Sequence, residues 1–257
     1  MSVLRGRCPY CGTYTAVAVG PGYECHSCGR EFGAGLVRVP RAWGNGGEEM
    51  VAAASLPLRY PEVAVIEEES LGEQELAMAS TLPERPLVLG GCCCSHVGVL
   101  EGLSSWYDRL AVVWFDAHGD LNTPETSPSG NQWGMPFRMV LDAGSVAVKD
   151  TVLVGARALD PGEEEFIRAS GLHVGVDAIA SALDGADAVY VAFDADVLDE
   201  AEMESFMPEP DGMTLAEAEE LLRRIAATAT VAGMGLTGFA PGSDIEAMSR
   251  LVAALGL

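Results

Sequence analysis

Apolar and polar positions alternate along the chain in a pattern that predicts strands followed by helices. Eight apolar runs after residue 35 predict strands, and segments with helical periodicity lie between them. Strands that alternate with helices favour a mostly parallel sheet that is covered on both faces. The predicted strands are 36–40, 62–67, 86–89, 110–115, 151–154, 172–176, 188–193 and 231–236, and the predicted helices are 70–80, 97–106, 132–142, 161–169, 214–228 and 243–255.

The first 34 residues carry a separate pattern, two C-x-x-C-G knuckles with 13 residues between their inner cysteines. This spacing is typical of a zinc ribbon, in which four thiolates surround one Zn²⁺. Disulfides are the alternative, and a cytosolic location argues against them. We predict a zinc ribbon at 1–34, with a docking surface for an unknown partner, and an α/β metallohydrolase domain at 35–257. The zinc ligands would be Cys8, Cys11, Cys25 and Cys28.

Composition narrows the classes of partner. The chain has 257 residues, with 38 acidic side chains against 15 lysines and arginines and a net charge of −23. This charge argues against general nucleic-acid binding. No apolar run approaches the ~18 residues of a membrane span, and the first residues, MSVLRGRCPYCG, lack the apolar core of a signal peptide. We therefore predict a cytoplasmic protein with no membrane partner.

Metal-capable side chains follow two of the predicted strands. The motifs are FDAHGD after the strand 110–115 and FDADVLD after the strand 188–193. Parallel strands deliver such residues to one sheet edge, where ligands bind. A mixed set of carboxylates and an imidazole suits Mn²⁺, Fe²⁺ or Zn²⁺, and five ligands with four carboxylates suit two ions. The alternative is that the aspartates only cap strand ends. The candidate ligands are Asp116, His118, Asp120, Asp194 and Asp196.

Three further loops offer polar groups near this edge. In GGCCCSH, after the third strand, Cys93 or His96 could supply a sixth ligand. The loop 121–131 is rich in hydroxyls and amides, which suits a polar substrate but is also typical of turns. The acidic residues of the loop 157–165 could instead only favour a helix N-terminus.

The motifs resemble those of the ureohydrolases, the family of arginase, agmatinase and formiminoglutamase. The resemblance rests on WFDAHGDLNTPETSPSGNQWGMP, on FDADVLD followed by PEPDGMTLAEA, on LGG at 89–91 and on GARALDPGEEE. It covers about residues 36–257 and leaves the ribbon outside. It implies a three-layer α/β/α fold with a mostly parallel eight-stranded sheet, and a homo-oligomer.

The resemblance also implies a mechanism and roles for residues. Two Mn²⁺ ions would hold a bridging hydroxide that attacks the amidino carbon of a small-molecule substrate. Asp116 and Asp194 would bridge the ions, His118 and Asp196 would complete one ion and Asp120 the other. The catalytic residues would be Asp116, Asp120 and Asp194. In the substrate site, Asn122, Ser129 and Asn131 match positions that hold an α-carboxylate, Asp160 an acid that meets the α-amino group, and Glu163 an assisting acid.

Four positions depart from the family pattern. The sixth ligand, a histidine in the family, falls on Cys93, with His96 as the fallback one helical turn further on. If Cys93 does not bind metal, one ion could bind weakly and the site could hold a single ion. A family histidine is replaced by Trp133, which offers an aromatic face to a cation or fills space. A family serine is replaced by Ala192, and the glutamate that grips the guanidinium by Gly238.

These observations support two function classes. The first is a metal-dependent hydrolase of C–N bonds in linear amidines, with an amino-acid-derived substrate and weak or no activity on arginine. The second is a catalytically degenerate, arginase-like protein with a binding or regulatory role through the ribbon. The five retained ligands favour the first class, and the losses at Trp133 and Gly238 favour the second.

Overall fold

The computed structural model describes residues 5–257, so residues 1–4 of the predicted ribbon lie outside the described residues. The N-terminal part is a four-stranded antiparallel sheet in chain order, built around the buried side chains of Cys8, Ala16, Tyr23 and Cys25. Its strands are β1 (Arg5–Gly6), β2 (Ala16–Val19), β3 (Gly22–Cys25) and β4 (Glu31–Phe32).

The larger part is an eight-stranded sheet in which every pairing between neighbouring strands is parallel. Its strands are β5 (Gly35–Val39), β6 (Glu62–Val65), β7 (Pro86–Gly90), β8 (Leu110–Phe115), β9 (Thr151–Val154), β10 (His173–Val174), β11 (Ala188–Asp194) and β12 (Val231–Thr237). Their order in the sheet is β10-β9-β8-β11-β12-β7-β5-β6. The sheet confirms the predicted α/β fold class.

Helices cover both faces of this sheet. They are α1 (Glu48–Ala53), α2 (Leu71–Thr81), α3 (Ser95–Ser104), α4 (Pro136–Asp142), α5 (Pro161–Ser170), α6 (Ile179–Leu183), α7 (Leu215–Thr228) and α8 (Ile245–Ala254). In β8, Val113 and Phe115 belong to the core that includes α7 and α8, whereas Val112 and Trp114 belong to the core that includes α3 and α4. Strand residues that alternate between two apolar layers explain why each strand is a continuous apolar run.

Some element bounds differ from the prediction. The short helices α1 and α6 were not predicted, α3 begins two residues earlier, and the predicted helix at 132–142 is a 3₁₀ turn at 132–134 followed by α4. Helices of five or six residues show too little periodicity to be distinguished from turns. Within residues 5–257, no helix is both long enough and apolar enough to cross a membrane.

The small sheet packs on the edge strand β6 of the large one. Arg7 and Glu62 exchange both backbone hydrogen bonds, at 2.8 and 3.1 Å, in an antiparallel bridge. Gly33 lies against Leu257, and the Tyr60 hydroxyl donates to the Leu257 carbonyl at 3.2 Å. The ribbon segment therefore extends the large sheet by one short pairing.

Candidate metal centre

The central strands bring the two aspartate motifs together. Strands β8 and β11 are neighbours, with Phe115 paired to Phe193, so Asp116 and Asp194 leave the sheet side by side. On the other side of β11, Asp194 pairs with Thr237 at the end of β12. The loop after β7 then brings Cys93 to the same edge, where its Sγ lies 2.9 Å from Asp194 Oδ2.

Two groups of potential ligands lie at this edge and share one residue. Cys93, Asp116 and Asp120 form one group, and Asp116, His118 and Asp196 form the other, with the ligand atoms of each group within 4.8 Å of one another. Asp194 touches both groups, since its Oδ2 lies beside Cys93 and its Oδ1 accepts the backbone N–H of Asp196 at 3.1 Å.

Electrostatics show that this cluster suits cations. Burial and then neighbouring carboxylates raise the pKa of Asp120 and of Asp194 well above the usual range, and they raise the pKa of Asp196 to about 6. Asp120 Oδ2 is buried and has no hydrogen-bond partner. Buried carboxylates are stable as anions only when they are paired or coordinate metals. The donor set of four carboxylates, one imidazole and one thiol therefore fits divalent metal ions.

His96, the alternative sixth ligand, lies outside both groups. Its Nδ1 is 3.0 Å from the Tyr190 hydroxyl and its Nε2 is 3.3 Å from Thr237 Oγ1. Burial lowers the pKa of His96 to about 3, so it is a neutral core side chain. Thr237 connects it to the site, because its Oγ1 is 3.0 Å from Cys93 Sγ. The structure therefore places Cys93 among the carboxylates and His96 behind them.

A cavity of about 520 Å³ opens above the candidate metal ligands. One wall is aromatic, because Trp133 and Phe206 meet edge to face with ring centroids 5.7 Å apart. The lining also includes Asn122, Ser129 and Asp160. The cavity can therefore hold a small molecule with one end on the ligand cluster.

The predicted substrate residues have different surroundings. The Asn122 amide donates to Asp160 at 2.8 Å and accepts from the Thr126 hydroxyl at 2.9 Å, while Ser129 lies at the cavity wall. Asn131 does not line the cavity, because its Oδ1 accepts the backbone N–H of Asn45 at 3.0 Å. The predicted substrate role of Asn131 is therefore not supported by its position.

The carboxylate of Glu163 is fully used in hydrogen bonds to backbone. Its two oxygens accept the backbone N–H groups of Leu121, at 3.0 Å, and of Asp160, at 2.9 Å. The second bond belongs to the capping box that starts α5. Burial raises the pKa of Glu163. Because both oxygens hold loop backbone, Glu163 fixes the two loops that carry Asp120 and Asp160.

No side chain fits at Gly238. A Cβ built there would lie 1.9 Å from Asp194 Oδ1, and the residue has a φ of +69°. The neighbouring segment with Ser205 and Phe206 is bonded to the backbone around Gly238. Phe206 N–H donates to the Gly238 carbonyl at 2.7 Å, and Ser205 forms an antiparallel bridge with Phe239. Gly238 itself lines the cavity, so this part of the lining offers backbone and no side chain.

The ribbon cysteines form a second cluster. Cys8 and Cys28 lie with their sulfurs 3.7 Å apart, Cys11 and Cys25 with theirs 3.6 Å apart, and none is in a disulfide. A tetrahedral Zn²⁺ with bonds of about 2.3 Å places its sulfurs about 3.8 Å apart. The four side chains therefore fit a zinc ion.

Two residues near the site were not predicted from the sequence. Glu209 lines the cavity, with its Oε1 3.7 Å from His118 Nε2, and Arg157 donates to backbone carbonyls around it. The acid between prolines in PEPDG was the available signal for Glu209. The sequence did not reveal the contact between Glu209 and His118, because the two residues are far apart in the chain. Glu209 follows the second aspartate motif, whereas His118 belongs to the first.

A model of the arginase family matches residues 61–256. The chain belongs to the arginase family. Arginase of Bacillus caldovelox is 35% identical in an alignment of 168 residues that covers 55% of this chain and 56% of that one. This member of the arginase family therefore matches about half the length of that relative.

Solved structures agree with this membership. The crystal structure of arginase from Bacillus subtilis superimposes with a TM-score of 0.75 at 25% identity, over 86% of this chain and 97% of that one. Formimidoylglutamase from Bacillus subtilis shares the fold, with a TM-score of 0.66 at 20% identity, over 86% of this chain and 84% of that one. The predicted ureohydrolase family is therefore confirmed.

Proposed function

We propose that this arginase-family member is a divalent-metal-dependent hydrolase of C–N bonds in a linear amidine. The observation that carries the proposal is the pair of ligand groups that share Asp116 at the floor of an open cavity. Two ions would be held by Cys93, His118 and the four aspartates. The resemblance to the ureohydrolases favours Mn²⁺ as the metal. A separate Zn²⁺ would lie in the ribbon cluster.

When bound, the ions would supply Lewis acidity and would lower the pKa of water at the site. The chain supplies the proton acceptor, because Asp120 Oδ2 has no other partner. Asp120 takes a proton as water adds to the amidino carbon and returns it to the leaving nitrogen when the C–N bond breaks. Asp160 and Ser129 line the cavity, which supports a role for them in holding an amino-acid end of the substrate.

The test is a screen of the manganese-loaded chain for release of urea, ammonia and formamide from guanidino and formimino compounds. We expect turnover of at least one compound and none by the Asp120→Asn variant. No turnover of any compound by a chain with two bound ions per cavity, measured by elemental analysis, would reject a hydrolase function.

A second candidate function rests on a different observation. Trp133 and Phe206 meet edge to face in the lining of the cavity, and no side chain is possible at Gly238. This geometry suits a cavity that binds a small molecule without hydrolysing it. The candidate predicts saturable binding of an amidine, measured by calorimetry, with no product released.

A further inference from the structure

Glu209 faces one nitrogen of His118 while the candidate metal site faces the other. Nδ1 of His118 lies 2.9 Å from Asp196 Oδ2 and 3.5 Å from Asp116 Oδ1, within the ligand group. Nε2 lies on the opposite side of the ring, 3.7 Å from Glu209 Oε1. A histidine that binds metal through Nδ1 carries its hydrogen on Nε2. That hydrogen would face the Glu209 carboxylate.

Arg157 fixes the distance between the metal-ligand turn and the segment that carries Glu209. A single nitrogen, Nη2, donates to the backbone carbonyls of Asp196 at 2.6 Å and of Glu209 at 2.9 Å. The other guanidinium nitrogens donate to the carbonyls of Pro210, at 2.8 Å, and Gly155, at 3.1 Å. Because its donors are used in this way, Arg157 acts as a backbone clamp beside the cavity.

Backbone strain marks the same segment. Among residues 5–257, three that are not glycine have a positive φ: Asp120 at 53°, Met207 at 55° and Asp211 at 61°. Two of them lie two residues before and two residues after Glu209, and the third is a candidate metal ligand. Such conformations persist only where the surrounding structure enforces them, and they cluster at functional sites.

We propose that Glu209 is a positioning residue that accepts the Nε2 hydrogen of His118 and that Arg157 holds it there. A metal-binding histidine usually gives its second N–H to a carboxylate, carbonyl or water, which fixes the ring and strengthens it as a ligand. The proposal rests on the proposed metal site, although not on the identity of the substrate. Glu209 is one-third exposed, with a side-chain accessibility of 34%, so it can complete the contact by a small rotation.

The test is the affinity of the full-length chain for Mn²⁺, measured by calorimetry with the ribbon zinc left in place. We expect Glu209→Gln to weaken Mn²⁺ binding by roughly 10- to 100-fold, the usual effect of removing such a partner. Glu200→Gln is the matched control, because it removes an exposed acid from the same loop, and it should leave the affinity unchanged. Glu209→Asp should recover part of the loss.

A double-mutant cycle tests the clamp. If Arg157 acts only by placing Glu209, Arg157→Met should weaken binding by a similar factor, and adding it to Glu209→Gln should weaken binding little further. An Nε2–H resonance of His118 in the Zn²⁺-loaded chain should also move in Glu209→Gln. Unchanged Mn²⁺ affinity and an unmoved resonance in Glu209→Gln would overturn the proposal. Because both measurements need only metal, they stand even if the chain hydrolyses no amidine.

Discussion

Cys93 is the residue that most affects which metal the cavity prefers. Burial and then Asp194 and Asp120 raise the pKa of its thiol well above the usual range, so metal binding there has to displace a proton. Thiolates favour Zn²⁺ and Fe²⁺ over the harder Mn²⁺. A thiolate ligand at this position would therefore give a metal preference that differs from that of a site with histidine.

We predict that Cys93→His raises the affinity for Mn²⁺ relative to that for Zn²⁺ by about tenfold or more, because an imidazole replaces a soft ligand. The measurement is competition between the two ions in calorimetry of the chain. Cys94→Ala is the control, since Cys94 is buried among Met50, Leu71 and Cys92 and belongs to neither ligand group. An unchanged ratio in Cys93→His would show that the thiol does not bind metal.

Asp194 touches both ligand groups, so its removal should empty the cavity site. We predict that Asp194→Ala loses most metal beyond the one ion of the ribbon, as measured by elemental analysis after dialysis. The surface variant Asp177→Ala, which removes an exposed aspartate, should keep its full content. Full metal content in Asp194→Ala would contradict the assignment of this residue as a bridge.

Two substitutions relative to the family predict poor activity on arginine. Gly238 offers no carboxylate to a guanidinium, and a charge-assisted hydrogen bond of this kind contributes ~1.5–3 kcal/mol. Trp133 cannot transfer protons, whereas proton transfer by a positioned side chain typically raises the reaction rate by ~10²–10⁴-fold. We predict a kcat/KM for arginine below ~10⁴ M⁻¹s⁻¹ on the manganese-loaded chain. A higher value in steady-state kinetics would show that the two substitutions cost less than this or that the missing acid lies elsewhere in the chain.

At the scale of elements, the strands and longer helices were predictable because their apolar residues repeat with a regular period. All eight strands of the large sheet were predicted in place, although β10 has two residues where five were expected. The start of α3 was missed by two residues, because its N-cap is Cys94, which makes no side-chain capping hydrogen bond and is not a typical capping residue. The short helices α1 and α6 depend on tertiary packing, which local periodicity does not record.

The site residues at the ends of strands were also easier to predict than those in loops. Asp116 directly follows β8 and Asp194 is the last residue of β11, so strand pairing alone brings them together. Loop side chains were harder, because Asn131 bonds to Asn45, which lies far away in sequence. Glu209 lies near His118 in a loop whose backbone carbonyls bind Arg157, far away in the sequence. Contacts between two irregular segments leave no periodic signal in the sequence.

The N-terminal segment is tied to the large sheet, so a zinc ion bound by its four cysteines should stabilise the whole chain. We predict that Cys28→Ser lowers the unfolding temperature of the large domain by roughly 2–8 °C, if the contacts at Arg7 and Gly33 contribute about 1–2 kcal/mol. Tryptophan fluorescence reports this domain alone, because none of the four tryptophans lies in residues 1–34. Ser27→Ala is the control. An unchanged fluorescence midpoint in zinc-free Cys28→Ser would show that the two parts unfold independently.

For the whole molecule, the buried carboxylates make stability depend on pH and metal together. In the metal-free chain, burial and then Asp116 raise the pKa of Asp196 to about 6, above its unfolded value of about 3.9. Between these values the folded state holds a proton that the unfolded state has lost, so stability falls as the pH rises from about 4 to 6. The raised pKa values of Asp120 and Asp194 extend this fall to higher pH.

We therefore predict that the chelated chain has a higher thermal midpoint at pH 5 than at pH 7.5, and that excess Mn²⁺ removes or reverses this order by binding the ionised carboxylates. Repulsion among the other acidic side chains of this chain, whose net charge is −23, also lowers its stability as the pH rises. Variants are therefore needed to separate the effect of the buried carboxylates from that of the net charge. Asp120→Asn should flatten the pH dependence and Asp177→Asn should not. A chelated chain that is more stable at pH 7.5 would contradict the raised pKa values.

The pairing between Arg7 and β6 has a consequence for how copies of this chain could assemble. At one edge of the large sheet, the backbone of Glu62 is already bonded to Arg7, and at the other edge β10 is only two residues long. Each edge therefore leaves only a short stretch of backbone for a strand from another molecule. Copies that associate must do so through helices and loops, with their sheets kept separate.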